Sequence, residues 1–245
     1  MVSNPPGSCC LTGFAREGNP EGEVGQIDNI ATYFATAKGN EKSKKAVLFL
    51  SDIFGIYQNS KLLADALAEK GYFTVLPDLF SGDPVPFEPY LAGKFDIQEW
   101  GSRHSTAHVD PIVEKVIRHL REKLGIEKIA AVGYCFGGKW VARYLRVGKI
   151  DVGYTAHPSF ISREELENIQ GPLSIAAAGI DQIFTTELRH LSEEILSKTK
   201  QPYQLTVFSG VTHGFAVRSD LSKPESKFAQ ASAFQQAVAW FDHHL

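Results

Sequence analysis

Cysteine is scarce in this chain of 245 residues, with three in all, at positions 9, 10 and 135. Adjacent residues such as Cys9 and Cys10 do not normally bridge one another, so no disulfide framework is implied and a reducing compartment is expected. An excess of positive charge is also missing. With 25 basic and 28 acidic residues the net charge is -3, which removes any general attraction to nucleic acid or to an anionic membrane. No apolar run approaches the roughly 20 residues needed to span a bilayer, and the N-terminus has neither a basic stretch nor an apolar core of the secretory kind. A cytoplasmic protein is therefore expected. Internal repeats and low-complexity tracts are absent too. His104, His108 and His119 have no ligand spacing with cysteine, so no metal is expected. Gly133 to Gly138 carries Cys135 where a dinucleotide fingerprint needs its middle glycine, and no cofactor is expected.

What is present is a regular alternation. Short apolar runs at 46–51, 73–76, 128–133, 152–156, 173–178 and 203–208 read as strands. Between them lie segments of helical period: one from Asn59 or Ser60 as cap to Gly71, then 107–124, 139–147, 163–169 and 185–198. A final helix covers about 225–244, with Phe228, Ala231, Phe234, Val238 and Phe241 as its buried stripe. Strands alternating with helices imply a mostly parallel central sheet with helices on both faces. Residues 1–27 read as an arm lying over the domain, 29–37 as an edge strand and 39–45 as a solvated turn. The segment 81–106, with Pro84, Pro86, Pro89, Phe87, Tyr90, Phe95 and Trp100, breaks the rhythm and reads as a cap-like excursion. One domain, 1–245, accounts for the whole chain.

In such a sheet a ligand sits beyond the carboxyl ends of the strands. The residues there are Asp52-Ile53-Phe54-Gly55, Pro77-Asp78, Cys135, His157-Pro158, Asp181 and His213. Cys135 has glycine two places before and two places after it, at the junction of a strand and a helix. That pattern suits a nucleophile held on a sharp turn, with the helix amides favouring a thiolate. A small buried residue in a tight packing turn has the same spelling. A histidine after a strand is often a packing residue, and an aspartate there is often a cap. The order Cys135, Asp181, His213, each beyond a strand, favours a triad: sulfur attacks, His213 moves the proton and Asp181 fixes the imidazole. The backbone amides of Phe136 and Ile53 are the expected oxyanion donors.

These residues also carry a family likeness. Gly133-Tyr134-Cys135-Phe136-Gly137-Gly138, with Asp52-Ile53-Phe54-Gly55, Pro77-Asp78-Leu79-Phe80, the Ser8-Cys9-Cys10 segment and the run from Ser209 to Phe215, resembles the dienelactone hydrolase (carboxymethylenebutenolidase) family, especially its eukaryotic and fungal branch. The resemblance implies an α/β-hydrolase fold and a cysteine hydrolase that opens lactones or activated esters through an acyl-thioenzyme. Cys135, Asp181 and His213 match the family triad. Where Asp52 stands, bacterial members carry a glutamate that hydrogen-bonds the resting thiol, and Asp52 is one methylene shorter. Of two family arginines that hold a substrate carboxylate, the first is replaced by Ser81, and Arg218 lies one place further from the histidine than the second. His157 and Trp100 are further candidates for the substrate wall, against a structural turn at Pro158 and an anchoring role for the aromatics. The expected partner is a small-molecule ester or lactone, with the chain as monomer or homodimer. Two rival readings stay open: an accessory hydrolase of fungal type acting on polyketide or other secondary-metabolite esters and thioesters, and a catalytically idle binding module.

Overall fold

The computed structural model describes residues 1–7, 17–36, 43–87, 89 and 94–245. The Ser8-Cys9-Cys10 motif, Ala37, the turn residues 39–42 and Tyr90 lie outside them.

Eight strands, β1 (Glu23–Ile27), β2 (Ile30–Ala35), β3 (Lys45–Leu50), β4 (Phe73–Pro77), β5 (Lys128–Tyr134), β6 (Val152–Ala156), β7 (Leu173–Ile180) and β8 (Tyr203–Thr212), form one sheet in the order β1-β2-β4-β3-β5-β6-β7-β8. The first two pairings, β1 with β2 and β2 with β4, are antiparallel, and every pairing from β4 to β8 is parallel. This is the α/β-hydrolase fold expected from the motifs.

Helices cover both faces, which is why the central strands are continuous apolar runs. On one side α3 (Thr106–Arg118) buries Val109, Ile112, Val113, Val116 and Ile117, and α4 (Gly137–Tyr144) adds Trp140, Val141 and Ala142. On the other, α1 (Gln58–Glu69) contributes Leu63 and Leu67, and the last helix, α8 (Pro224–His244), contributes Ala233, Ala237 and Phe241. Neighbours along β5 divide accordingly: Ile129 and Ala131 join the first core, Ala130 and Val132 the second. Further α-helices among the described residues are α2 (Ile97–Arg103), α5 (Arg163–Glu167), α6 (Thr186–Leu196) and the short α7 (Phe215–Arg218), and a π-helical turn at His119–Lys123 continues α3.

Several expectations need correction. Part of the N-terminal arm is a strand, β1, whose exposed Glu23 and Val24 hide the pattern. Residues 1–7 lie against the loops that follow β6 and β7, with the Val2 and Asn4 amides bonded to the carbonyls of Ile161 and Ile183. Helix α1 is capped at Tyr57, and Ser60 sits inside its first turn, its hydroxyl accepting from the Tyr57 amide at 3.0 Å. The excursion contains α2, started by Asp96, whose carboxylate accepts from the Gln98 and Glu99 amides. Strand β8 runs past Phe208 to Thr212, because pairing with β7 resumes at Ile180 and Thr212 after an irregularity. On α8 the buried face is Ala229, Ala233, Ala237 and Phe241, whereas Phe228 is 70% exposed and Ala231 is also exposed. The small side chains let the helix approach the sheet closely, and the large one is turned outward.

Candidate active site

Cys135 follows β5 with φ at +50°, a left-handed conformation that costs a non-glycine residue energy and needs its surroundings to hold it. Three main-chain bonds do so: the Cys135 amide donates to Ala156, and its carbonyl accepts from Gly138 and Ser159. The flanking glycines are sterically required. A Cβ on Gly137 would stand 2.0 Å from the Leu50 carbonyl oxygen, and one on Gly133 would stand 2.6 Å from the Val141 side chain. The sulfur is buried at the start of α4, 3.6 Å from the Ser159 hydroxyl. Ser159 went unnoticed in the sequence because Pro158 marks a turn there.

Asp181 follows β7 and His213 follows β8. His213 Nδ1 lies 3.1 and 3.0 Å from the two Asp181 oxygens, and Asp181 Oδ1 also accepts from the Ile183 and Phe184 amides at 2.8 and 3.1 Å. Burial works to raise the Asp181 pKa, but the hydrogen bond and charge of His213, with those two amides, hold it below the usual range. For His213, burial favours the neutral ring, yet the charge on Cys135 and the bond to Asp181 push its pKa up to about 10. The Cys135 sulfur acts on the His213 ring through its charge and through a side-chain hydrogen bond. A charge on Cys135 at one side and the Asp181 carboxylate at the other both favour the imidazolium form of His213.

Asp52 lies two residues beyond the end of β3 and is 2% exposed. Its Oδ1 accepts from the Phe54 amide at 3.1 Å, and its Oδ2 accepts from the Tyr57 hydroxyl at 3.0 Å and from Arg218 Nη1. The Arg218 guanidinium also lies 5.1 Å from the Phe54 ring centre. Burial raises the Asp52 pKa, Arg218 opposes that, and the charge on Cys135 raises it again. Asp52 thus bears on the sulfur through its field, while its oxygens are engaged by Phe54, Tyr57 and Arg218. Tyr57 was not apparent as a site residue; the signal was its position five residues beyond Asp52.

Ile53 and Phe136 each lie beyond the carboxyl end of a strand, β3 and β5, and these strands are neighbours in register as far as Leu50 and Gly133. His157 follows β6 and is wholly buried, its ring 4.9 Å from that of His213. Trp100 is 1% exposed, packs tilted against Phe80 at 5.0 Å and edge-on against Phe136 at 5.6 Å, and donates Nε1–H to the Asp83 carbonyl. It anchors the excursion to the core beside Phe136. A cavity of about 360 Å³ opens at His213, Phe215 and Arg218, with Lys223 at its rim. Among the described residues, no helix is long and apolar enough to cross a membrane.

A sheet of this order with Cys135, Asp181 and His213 at its carboxyl edge defines an α/β-hydrolase. The profile of the dienelactone hydrolase family matches residues 30–245, and the chain belongs to that family, a class of ester and lactone hydrolases. Hydrolase pyvD of Aspergillus violaceofuscus is 47% identical over 246 residues, covering 100% of this chain and 99% of that protein. Hydrolase tropI of Talaromyces stipitatus is 48% identical over 255 residues, with the same coverage. Dienlactone hydrolase 1 of Gibberella moniliformis is 32% identical over 252 residues, covering 100% of this chain and 96% of its own. In fold, the chain is similar to a dienelactone hydrolase-like promiscuous phosphotriesterase from metagenomic libraries, with a TM-score of 0.73 at 18% identity over 91% of this chain and 97% of that one.

Proposed function

We propose that the chain, acting as one domain over 1–245, is a cysteine-dependent hydrolase that opens a lactone or activated ester through an acyl-thioenzyme. The observation that supports this best is the Asp181–His213 bond together with the effect of the Cys135 charge on His213. Cys135 Sγ attacks the carbonyl carbon; the S–C bond forms and the carbonyl electron pair moves to oxygen, where the Phe136 and Ile53 amides receive it. Collapse expels the leaving oxygen, which takes a proton from His213. Water then gives a proton to His213 and attacks the thioester, the C–S bond breaks, and the thiolate returns to its place opposite the imidazolium. Cys135→Ala should abolish turnover of both an activated aryl ester and an enol-lactone; unchanged turnover refutes the assignment.

A second reading concerns the substrate. Ser81 stands where the resemblance leads one to expect an arginine, and Arg218 is turned onto Asp52 at 3% exposure. Both features favour an uncharged substrate over one held by its carboxylate. Together with the likeness to two fungal hydrolases, they support an accessory role on polyketide or other secondary-metabolite esters or thioesters. The test compares kcat/KM for a lactone carrying a free carboxylate with that for its methyl ester. Preference for the ester is expected, and a strong preference for the acid overturns this reading.

A further inference from the structure

Two imidazoles bear on Cys135, and a carboxylate stands behind only one of them. His213 is backed by Asp181. His157 arrives from β6, the strand beside β5, with Tyr134 and Ala156 in register, so the residue after each strand meets the other. The amide of His157 is fixed to the Ala176 carbonyl at 2.8 Å, and its φ of +40° lies in the left-handed region. Its ring is wholly buried between those of His213, Phe215 and Tyr134, at 4.9, 5.8 and 6.1 Å. The side-chain hydrogen-bond partner that bears on the ring is the Cys135 sulfur.

Each of these features is costly. A wholly buried imidazole and a left-handed backbone at a non-glycine residue persist where function requires them. The polar groups that bear on the ring are the Cys135 sulfur, the His213 ring and the Arg218 guanidinium. Burial, with the charges of His213 and Arg218, brings the His157 pKa down to about 4 against the pull of Cys135. The ring is therefore neutral at pH 7, and a neutral imidazole always carries one N–H.

We infer that His157 is a second, uncharged imidazole on the nucleophile, donating its N–H to the Cys135 thiolate and sharing the sulfur's charge with the imidazolium of His213. This rests on the thiol chemistry proposed above. A donor that does not protonate leaves the thiol proton to His213 alone and places no second cation beside it. When the S–C bond forms, the charge moves to the carbonyl oxygen and the donor loses its charged acceptor. When that bond breaks in deacylation, the donor meets the departing thiolate again.

The test uses full-length protein carrying Cys9→Ser and Cys10→Ser, so that Cys135 is its one cysteine, and follows iodoacetamide alkylation and ultraviolet thiolate absorbance against pH. His157→Phe should move the midpoint up by about one pH unit, an approximately tenfold loss of thiolate below it. His157→Gln keeps an N–H donor and should restore most of the shift. An unchanged midpoint in His157→Phe, or equal displacement in both variants, overturns the inference. A parent midpoint near the ordinary thiol value of about 8.5 would instead refute the thiol chemistry itself. Nitrogen NMR of the unsubstituted His157 ring gives an answer that does not depend on either variant folding. Its signals should remain those of a neutral ring through the physiological range and shift when Cys135 is alkylated; protonation near the ordinary histidine value of about 6.5 overturns the inference.

Discussion

Arg218 closes on Asp52 in an ion pair whose two side chains are each 1% exposed, although 166 residues separate them in the chain. A pair so buried has given up most of its hydration, and removing one partner strands the other charge. Arg218→Met should therefore destabilise the protein by about 3–5 kcal/mol in urea denaturation. Adding Asp52→Asn to that variant should recover part of the loss, because the stranded carboxylate is then gone. A double variant no more stable than Arg218→Met would show that the pair's geometry, and not its charge, is what matters.

Asp181→Asn tests the orienting carboxylate without dismantling its loop. Asparagine keeps an acceptor for the Ile183 and Phe184 amides, which bond Asp181 Oδ1. It removes the charge facing His213 Nδ1 and allows the wrong tautomer. Ester hydrolysis should fall by about 10³–10⁴ in kcat, with little change in KM. A loss confined to KM would place Asp181 in substrate binding.

The raised pKa of His213 fixes a direction for stability against pH. The group holds its proton up to about pH 10 in the folded protein, against 6.5 for the free side chain. Its contribution is therefore complete below about 6.5, declines as the pH rises and is lost above about 10. The difference in unfolding free energy between the parent protein and His213→Gln should shrink across that interval. Alkylating Cys135 beforehand should flatten the curve, since the thiolate charge is the largest of the influences that raise the pKa. A constant difference from pH 6.5 to 10 contradicts the assignment of an imidazolium.

Much of this arrangement was legible before any coordinates. Continuous apolar runs ending in Cys135, His157, Asp181 and His213 locate a parallel sheet and the edge where those side chains gather, because period and strand order are local properties of the chain. The pairing of Arg218 with Asp52 was not legible, since no local pattern encodes a contact between β3 and α7. Strand β1 escaped because an edge strand buries too little to alternate, and α2 because a seven-residue helix in a proline-rich excursion shows barely two turns. The face of α8 is legible only in part: Val238 and Phe241 are buried as their spacing suggests, while Phe228 and Ala231 are exposed. Size suggested that Phe228 is inside, but the sheet accepts the small face of Ala229, Ala233 and Ala237.

The elbow offers the most direct steric test. At Gly137 an added methyl would stand 2.0 Å from the Leu50 carbonyl oxygen and 2.9 Å from the Leu50 Cβ, and neither can retreat easily, because Leu50 is held in β3 opposite Gly133 of β5. Gly137→Ala must therefore lift the turn away from β3, separating the Phe136 and Ile53 amides and moving the sulfur. A stability loss of about 1–3 kcal/mol is expected from the overpacking, with ester hydrolysis reduced by at least about 10²-fold, as for loss of an oxyanion donor. Gly101 supplies the control, since it lies within α2 and a methyl there meets nothing within 4 Å. Gly101→Ala should leave hydrolysis unchanged and stabilise by about 0.4–1 kcal/mol through its effect on the unfolded chain. Were Gly137→Ala to retain full activity, the strained turn at Cys135 would not be what positions the sulfur, and the reading of this segment as a nucleophile elbow would fall with it.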